Sequence, residues 1–390
     1  MQIKKSVIAT AVAGLTLAGL GLSTIPAQAF DPVSNGYAIV GSDTLEDVVG
    51  ALANGSSATG TGVRTTASDS STLGNFDATG SATIITKPYG VRFQRPNGSG
   101  DGRIALEAQI AATAYTSVAG TPYAAVTLSN TPIDITRGSS GGTVDAAGKL
   151  GRYTFGRDAI AFAYGTSVIP GANGYISKAD MLLLLACDST TMNTYHITQV
   201  VIPQAGSGTR KDFMKAVTGS STESYPTSTT DVSTCVRVGQ EHDASTLAAG
   251  QIMPMSASRW IAMKNGLSYD KSGSATLGSF VSGAASVSGT APNLKPVVAY
   301  YKDTTWGRDT YLFVDKRRVD STNALYDTVL KALFDYTDAT SLTYQGGSSF
   351  SYANMTDANY PSFGAYTAAA VKLKFGFLPA SVQDYNIAKN

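Results

Sequence analysis

From residue 37 onward, short strand-like apolar runs alternate with segments of helical spacing, the pattern of an α/β protein rather than a β-sandwich or a helix bundle. Residues 37–40 read as a strand, followed by Gly41-Ser42-Asp43-Thr44 and a helix over 45–53. Segment 54–82 is rich in Gly, Ser and Thr and reads as loop with at most one strand. Helical spacing returns over 103–115, after Asn97-Gly98-Ser99-Gly100-Asp101, and 124–128 and 133–136 read as extended. Residues 158–164 form a buried-strand candidate and 178–186 a short apolar helix. A strand over 200–203 leads through Gln204-Ala205-Gly206-Ser207-Gly208-Thr209-Arg210 into a helix over 211–217. Segments 218–234 and 267–295, poor in large apolar residues, read as surface loops. A strand over 310–314 and a strongly periodic helix over 321–336 follow, and no repeat of fixed period runs through the chain.

The first 29 residues have a different pattern. Lys4 and Lys5 precede an apolar run over 7–22, and Ala27-Gln28-Ala29 supplies the small-x-small signal for cleavage, so residues 1–29 are expected to be a signal peptide and Phe30 the mature start. A membrane span needs about 20 apolar residues, more than this run or any later one offers, and no Cys stands near the cleavage point to carry a lipid. The mature chain is therefore expected to be secreted or extracytoplasmic, with no membrane span.

At 390 residues the chain suggests two domains. Its 43% hydrophobic content, with 20 Tyr and 13 Phe, excludes disorder as the main state. The 29 basic residues nearly balance 28 acidic ones, and removal of Lys4 and Lys5 leaves 27 against 28, so there is no electrostatic footprint for nucleic acid. Any bound anion must be held locally. Cys187 and Cys235, the only two cysteines, are expected to pair in an oxidising compartment, closing a loop worth ~4 kcal/mol on a chain-entropy estimate. Two Cys with His196 and His242 make a poor structural zinc set, and neither metal nor cofactor is expected.

Three turns share one plan: Gly41 to Thr44, Asn97 to Asp101 and Gly206 to Arg210 each place Gly and hydroxyl residues directly before a helix. A helix N-terminus exposes unpaired N–H groups, Gly allows close backbone approach, and Ser or Thr hydroxyls add donors. If the turns converge, they form an anion cage of mostly neutral groups. The same residue types are the favoured N-caps, so any one turn is equally an ordinary helix start.

Gly41-Ser42-Asp43-Thr44, Arg95-Pro96-Asn97-Gly98-Ser99-Gly100, Arg137-Gly138-Ser139-Ser140 and, above all, Pro203 to Arg210 resemble the phosphate-binding proteins of ABC transporters. The likeness is greatest to a secreted actinobacterial branch, to which Glu241-His242-Asp243 and Pro254-Met255-Ser256 are also similar. This resemblance implies a two-lobed periplasmic-binding-protein type II fold, with two crossover hinge strands at 158–164 and 310–314 and a ligand cleft between the lobes. Lobe I would comprise 30–162 and 305–390, and lobe II 163–304. The ligand would be phosphate or a similar oxyanion, the partner an ABC permease, and the protein a monomeric binding protein rather than an enzyme. Ser42, Thr44, Ser99, Ser139, Ser207 and Thr209 would donate hydroxyls, while Gly98, Gly206 and Gly208 let amides approach.

Two departures bear on the ligand. Many phosphate binders carry an Arg six residues before the Thr of the Gly-Ser-Gly-Thr turn, where this chain has Pro203. The guanidinium must come from elsewhere, with Arg137 as the bidentate clamp and Arg210 or Arg95 as alternatives. The family's carboxylate that accepts the ligand's proton is also missing from its usual turn. Asp43 is the expected substitute, a residue that otherwise reads as a helix cap.

Two other functions compete. Gly138-Ser139-Ser140-Gly141-Gly142 fits G-x-S-x-G, and Ser140 with His242 and Asp243 or Asp158 could form a hydrolase triad. That elbow requires a helix after the turn, whereas residues 143–148 lack helical spacing. A surface interaction protein, using the Tyr- and Ser-rich exterior, is the third reading. Trp260 and Trp306 read as packing residues.

Overall fold

The computed structural model describes residues 33–118, 123–166, 169, 171–220, 235–347 and 352–389. The signal-peptide segment, its cleavage point and most of the expected loop 218–234 lie outside these residues.

Eight strands form the path of one sheet: β1 Tyr37–Gly41, β2 Leu73–Asn75, β3 Ile135–Gly138, β4 Leu150–Tyr164, β5 Gln199–Pro203, β6 Val236–Gly239, β7 Gln251–Ser256 and β8 Gly307–Asp315. Their order is β6-β5-β7-β4-β8-β3-β1-β2. Within each flank the pairs β1/β2, β1/β3, β5/β6 and β5/β7 are parallel. The central contacts β7/β4, β4/β8 and β8/β3 are antiparallel. β4 belongs to both flanks, since Leu150 to Ala159 pairs with β8 and Ile160 to Tyr164 with β7. Together β4 and β8 carry the chain from one flank to the other, at the two places where the resemblance implied crossover strands.

Side-chain alternation sets the cores. On β8, Leu312 and Val314 enter one cluster with Val48, Leu52 and Phe377, while Phe313 between them enters another with Val40, Leu106 and Ile133. On β5, Val200 and Ile202 join Phe162, Leu184, Phe213 and Trp306, whereas Val201 joins Met253, Met255 and Trp260. With both faces covered, these strands read in sequence as apolar runs, and each fully buried Leu, Ile or Phe contributes about 1.5–3 kcal/mol. Cys187 and Cys235 form a disulfide with Cα atoms 5.6 Å apart, tying the segment after the second flank's first helix to the start of β6.

The helices that matter for the site are α1 Glu46–Asn54, α2 Ser99–Ala111, α3 Lys178–Leu185, α4 Gly208–Thr218 and α5 Ala257–Lys264. Two helix expectations need correction. The helix expected over 103–115 begins at Ser99 and ends at Ala112 in a left-handed cap. The periodic segment 321–336 yields only Thr328–Ala332 as α-helix, because Asp327 accepts the Leu330 amide and caps there while also binding Arg318 and Tyr37. The supposed loop 267–295 contains Thr276–Gly278, a strand antiparallel to the end of β4. Gly278 permits this pairing, since a Cβ there would lie 2.3 Å from the Phe162 ring.

Candidate functional site

The three donor turns converge. Gly41 (φ 108°) ends β1 against the Arg137 backbone, where a Cβ would meet the Arg137 carbonyl oxygen at 2.7 Å, and the Ser42 amide donates to that carbonyl at 3.0 Å. From the opposite flank, the Gly206 carbonyl accepts the Gly100 amide at 2.9 Å. Asn97 joins the same seam, donating to Gln240 at 3.2 Å and accepting from Gln204 at 2.9 Å. The start of α4 abuts two serines, since a Cβ on Gly208 would lie 2.3 Å from Ser139 Oγ and 2.4 Å from Ser99 Oγ. Ser99 Oγ and Ser139 Oγ are 3.1 Å apart, and Ser99 Oγ also accepts the Ser139 amide. Thr44 and Thr209 face each other across the flanks, with Oγ1 atoms 3.5 Å apart. Ser207 Oγ accepts the Arg210 amide and so serves as the N-cap of α4.

The cation at this junction is Arg308, on β8. Its Nη2 donates to Thr209 Oγ1 at 2.8 Å and reaches Thr44 Oγ1 at 3.5 Å, so one guanidinium touches hydroxyls of both flanks. Nε and Nη2 bind Asp158 Oδ2 on β4 at 3.1 and 2.9 Å, and Nη1 binds Asp212 Oδ2 at 3.3 Å. Asp158 Oδ1 accepts Ser256 Oγ, the Ser258 amide and Ser258 Oγ at 2.8–3.0 Å, which fixes the start of α5 to the same hub. Burial alone would lower the basicity of Arg308, but Asp158 and Asp212 outweigh it and raise its pKa. Sequence reasoning missed Arg308; its one signal was its place directly before the expected second crossover strand.

The other arginines are committed elsewhere. Arg137, expected to clamp the ligand, lies wholly buried and donates to Ser42 O at 3.0 Å, Gly41 O at 3.1 Å, Phe76 O at 2.9 Å and Asn75 Oδ1. It braces the first turn from behind, because three main-chain carbonyls converge on its fork. Arg210 donates to the Pro203 carbonyl at 3.0 Å, and Arg95 to Ser81 and Asp77.

Asp43, the expected proton acceptor, sits in an ion cluster instead. Arg259 of α5 approaches it at 3.2 Å and also engages Asp47, and His242 Nδ1 lies 3.6 Å away. Burial would raise the Asp43 pKa, yet Arg259 and His242 hold its carboxyl well below the usual carboxylate range. Burial likewise pushes His242 down, but Glu241 and Asp43 outweigh it and raise it. Glu46, buried beside them with Oε2 accepting the Ala78 amide at 2.6 Å, is pushed up to about 7 by burial and then by Asp43. Glu241 is the unusual member. Fully buried, with His242 Nε2 at 3.8 Å, its carboxylate oxygens accept no hydrogen bond from any described residue. His242 Nε2 in turn lies 3.5 Å from Thr209 Oγ1, which sets this pair against the hydroxyl junction.

Ser140 does not assemble a triad. Arg103 Nη1 donates to its carbonyl at 2.8 Å, and the turn leads into the strand Thr143–Val144, paired with Tyr385–Lys389, rather than into a helix. The His242 ring contacts Asp43, Glu241 and Thr209, and Asp158 is bound to Arg308.

No family model and no curated protein matches the chain. Solved structures similar to it include an ABC-type phosphate transport receptor from Vibrio cholerae, at 13% identity and a TM-score of 0.38 over 76% of this chain and 93% of that one. PstS from Borrelia burgdorferi is similar at 11% identity and a TM-score of 0.32, covering 73% and 93%. A human phosphate binding apolipoprotein is similar at 14% identity and a TM-score of 0.43, covering 88% and 90%. Among the described residues no helix is long and apolar enough to cross a membrane, and no cluster of His, Cys, Asp and Glu could hold a metal ion.

Proposed function

We propose that this protein captures an inorganic oxyanion, phosphate first, between two lobes comprising 30–162 with 305–390 and 163–304, as a secreted, monomeric binding protein feeding an ABC-type permease. The observation that carries this reading is Arg308, a buried guanidinium on one of the two strands that carry the chain between the flanks, which touches Thr44 on one side and Thr209 on the other. An anion would replace the hydroxyl-to-hydroxyl contacts there. It would take donors from Ser42, Thr44, Ser99, Ser139 and Thr209, from amides near Gly98, Gly206, Ser207 and Gly208, and from Arg308 in place of Arg137 or Arg210. Of the two candidate carboxylates, Asp43 has Arg259 at 3.2 Å and His242 at 3.6 Å, whereas Glu241 has only His242 Nε2 at 3.8 Å and no hydrogen-bond donor on either oxygen among the described residues. Glu241 is therefore our acceptor for the ligand's proton, and it disfavours sulfate, which has none to offer.

Calorimetric titration of the ligand-stripped protein with phosphate, sulfate and molybdate tests this reading. One site, tightest for phosphate, is expected. Absence of heat and of any thermal shift with all three anions would sink it, and the surface-interaction reading, supported by exposed Tyr89, Tyr269 and Tyr366, would lead.

A further inference from the structure

We infer that the protein carries a second ligand site, for a small aromatic carboxylate, in a pocket that shares no residue with the hydroxyl junction. Its volume of ≈ 350 Å³ falls within the range of small-molecule sites, about 300–1,000 Å³. Three stretches far apart in sequence build it, and each is fixed by the protein's own hydrogen bonds. Asn265, just after α5, donates Nδ2 to the Leu294 carbonyl and accepts the Leu294 amide, both at 2.9 Å. That clamp pins the loop 289–294 between the paired strands Val287–Ser288 and Lys295–Pro296. The loop turns tightly at Gly289 (φ 89°), where a Cβ would meet the Asn293 carbonyl oxygen at 2.7 Å. A second wall comes from Thr59 and the segment 360–363; Thr59 and Thr61 Oγ1 donate to the Ala365 carbonyl at 2.7 and 2.9 Å. The third is the helix Ala368–Lys374, whose first turn is capped by Thr367 Oγ1 accepting the Ala370 amide at 3.2 Å. Ala370, Leu373 and Lys374 lie on one face of that helix by their three- and four-residue spacing, and all three line the pocket.

The lining selects a flat apolar body with one negative charge. Tyr360, Phe363, Pro292 and Pro361 contribute rings, and Leu294 and Leu373 add aliphatic surface. No acidic residue stands in the lining, whereas Lys295 and Lys374 do, and neither lysine forms an ion pair with any described residue. Lys295 Nζ lies 4.9 Å from the centroid of the Tyr360 ring, so one ammonium stands beside the aromatic wall itself. Asp357, whose charge reaches Tyr360, is committed to the Val298 amide at 2.7 Å. The local charge is therefore complementary to an anion. No arginine enters the lining to grip a phosphoryl group bidentately, and a carboxylate set on a ring system satisfies both ammoniums while the rings take its body.

The test is calorimetric titration of the exported protein with 2-naphthoate and its neutral analogue 2-naphthamide, in excess orthophosphate so that the oxyanion site cannot take the carboxylate. One site is expected, at least tenfold tighter for 2-naphthoate. Lys295→Met combined with Lys374→Met, both at exposed positions, should cost 2-naphthoate at least tenfold and leave 2-naphthamide within about threefold. Ser362→Trp, at an exposed position in the lining, should cost both probes at least tenfold by filling the pocket. The inference is overturned by the absence of saturable heat with 2-naphthoate, by equal affinity for the two probes, or by a charge preference that survives loss of both lysines. Binding unaltered in Ser362→Trp overturns it as well, by placing the probe elsewhere. None of these outcomes bears on the proposed function, which phosphate titration reads separately.

Discussion

Glu241→Gln isolates the proposed reading of the ligand's proton. The substitution keeps the shape of the side chain, removes its charge and adds two donors. In the free protein two effects oppose each other. A buried carboxylate without a donor costs on the order of 1–3 kcal/mol or more, and the change relieves that cost. His242, 3.8 Å away and with its pKa raised partly by Glu241, attracts the carboxylate when protonated by about 4 kcal/mol at an effective dielectric of 20, and the change loses that attraction. The free protein should therefore shift little in stability, while the His242 pKa falls toward its ordinary value. Ligand binding carries the decisive difference. A hydrogen bond from protonated phosphate to a charged acceptor contributes about 1.5–3 kcal/mol, so phosphate affinity should fall roughly ten- to a hundredfold. Sulfate has no proton to lose and is relieved of a facing charge, so its affinity should hold or rise. Calorimetry with both anions, and NMR titration of His242, read the two effects. Asp43→Asn is the companion: because Asp43 is held by Arg259 and His242, it should weaken both anions alike. Equal losses for phosphate and sulfate in Glu241→Gln, or a selective loss of phosphate in Asp43→Asn, would refute this assignment.

Arg308→Lys keeps the charge but not the fork that spans Asp158, Thr209 and Asp212, and should weaken phosphate about ten- to a hundredfold with an unchanged circular dichroism spectrum; unaltered affinity would remove Arg308 from the site. Glu46 is pushed from 4.5 up to about 7, so its contribution to stability is complete below pH 4.5 and is lost as pH rises through 7, by roughly 3 kcal/mol, with the raised His242 adding loss in the same direction above pH 6.5. Glu46→Gln should accordingly resist urea better than the unaltered protein at pH 8 and no better at pH 4.5, and parallel profiles would count against the buried acid. Intact-mass analysis without reductant should find no alkylatable thiol, and reduction of Cys187–Cys235 should cost up to ~4 kcal/mol; two free thiols in the exported protein would contradict the bridge.

The sequence by itself determined what local physics controls. Alternating apolar rhythms announced an α/β chain, and strands buried on both faces, such as β5 and β8, stood out as apolar runs. The three Gly- and Ser-rich turns were legible because helix starts and close backbone approach constrain residue type within a few positions. Less was visible where long-range contacts override the local pattern. The 321–336 periodicity promised a helix of four turns, but Asp327 is drawn into bonds with Arg318 and Tyr37 and leaves one short turn of helix. β7 and the helix after it carry little local signal, because their apolar stretches are short and broken by Pro254 and Ser256.

Tertiary structure alone decided which charges face the site. Arg137 and Arg308 both border strands, and nothing in their neighbours in sequence distinguishes them. Arg137 meets three main-chain carbonyls at the ends of β1 and β2, whereas Arg308 stands on the strand that joins the flanks, with a carboxylate of β4 to orient it and a hydroxyl from each side within reach. Asp43 likewise is held in an ion cluster because α5 brings Arg259 against the first turn, which is why the proposed proton acceptor is Glu241 instead. Partners 61 to 264 positions apart in the chain fixed these assignments, and only the folded chain brings them within hydrogen-bonding distance.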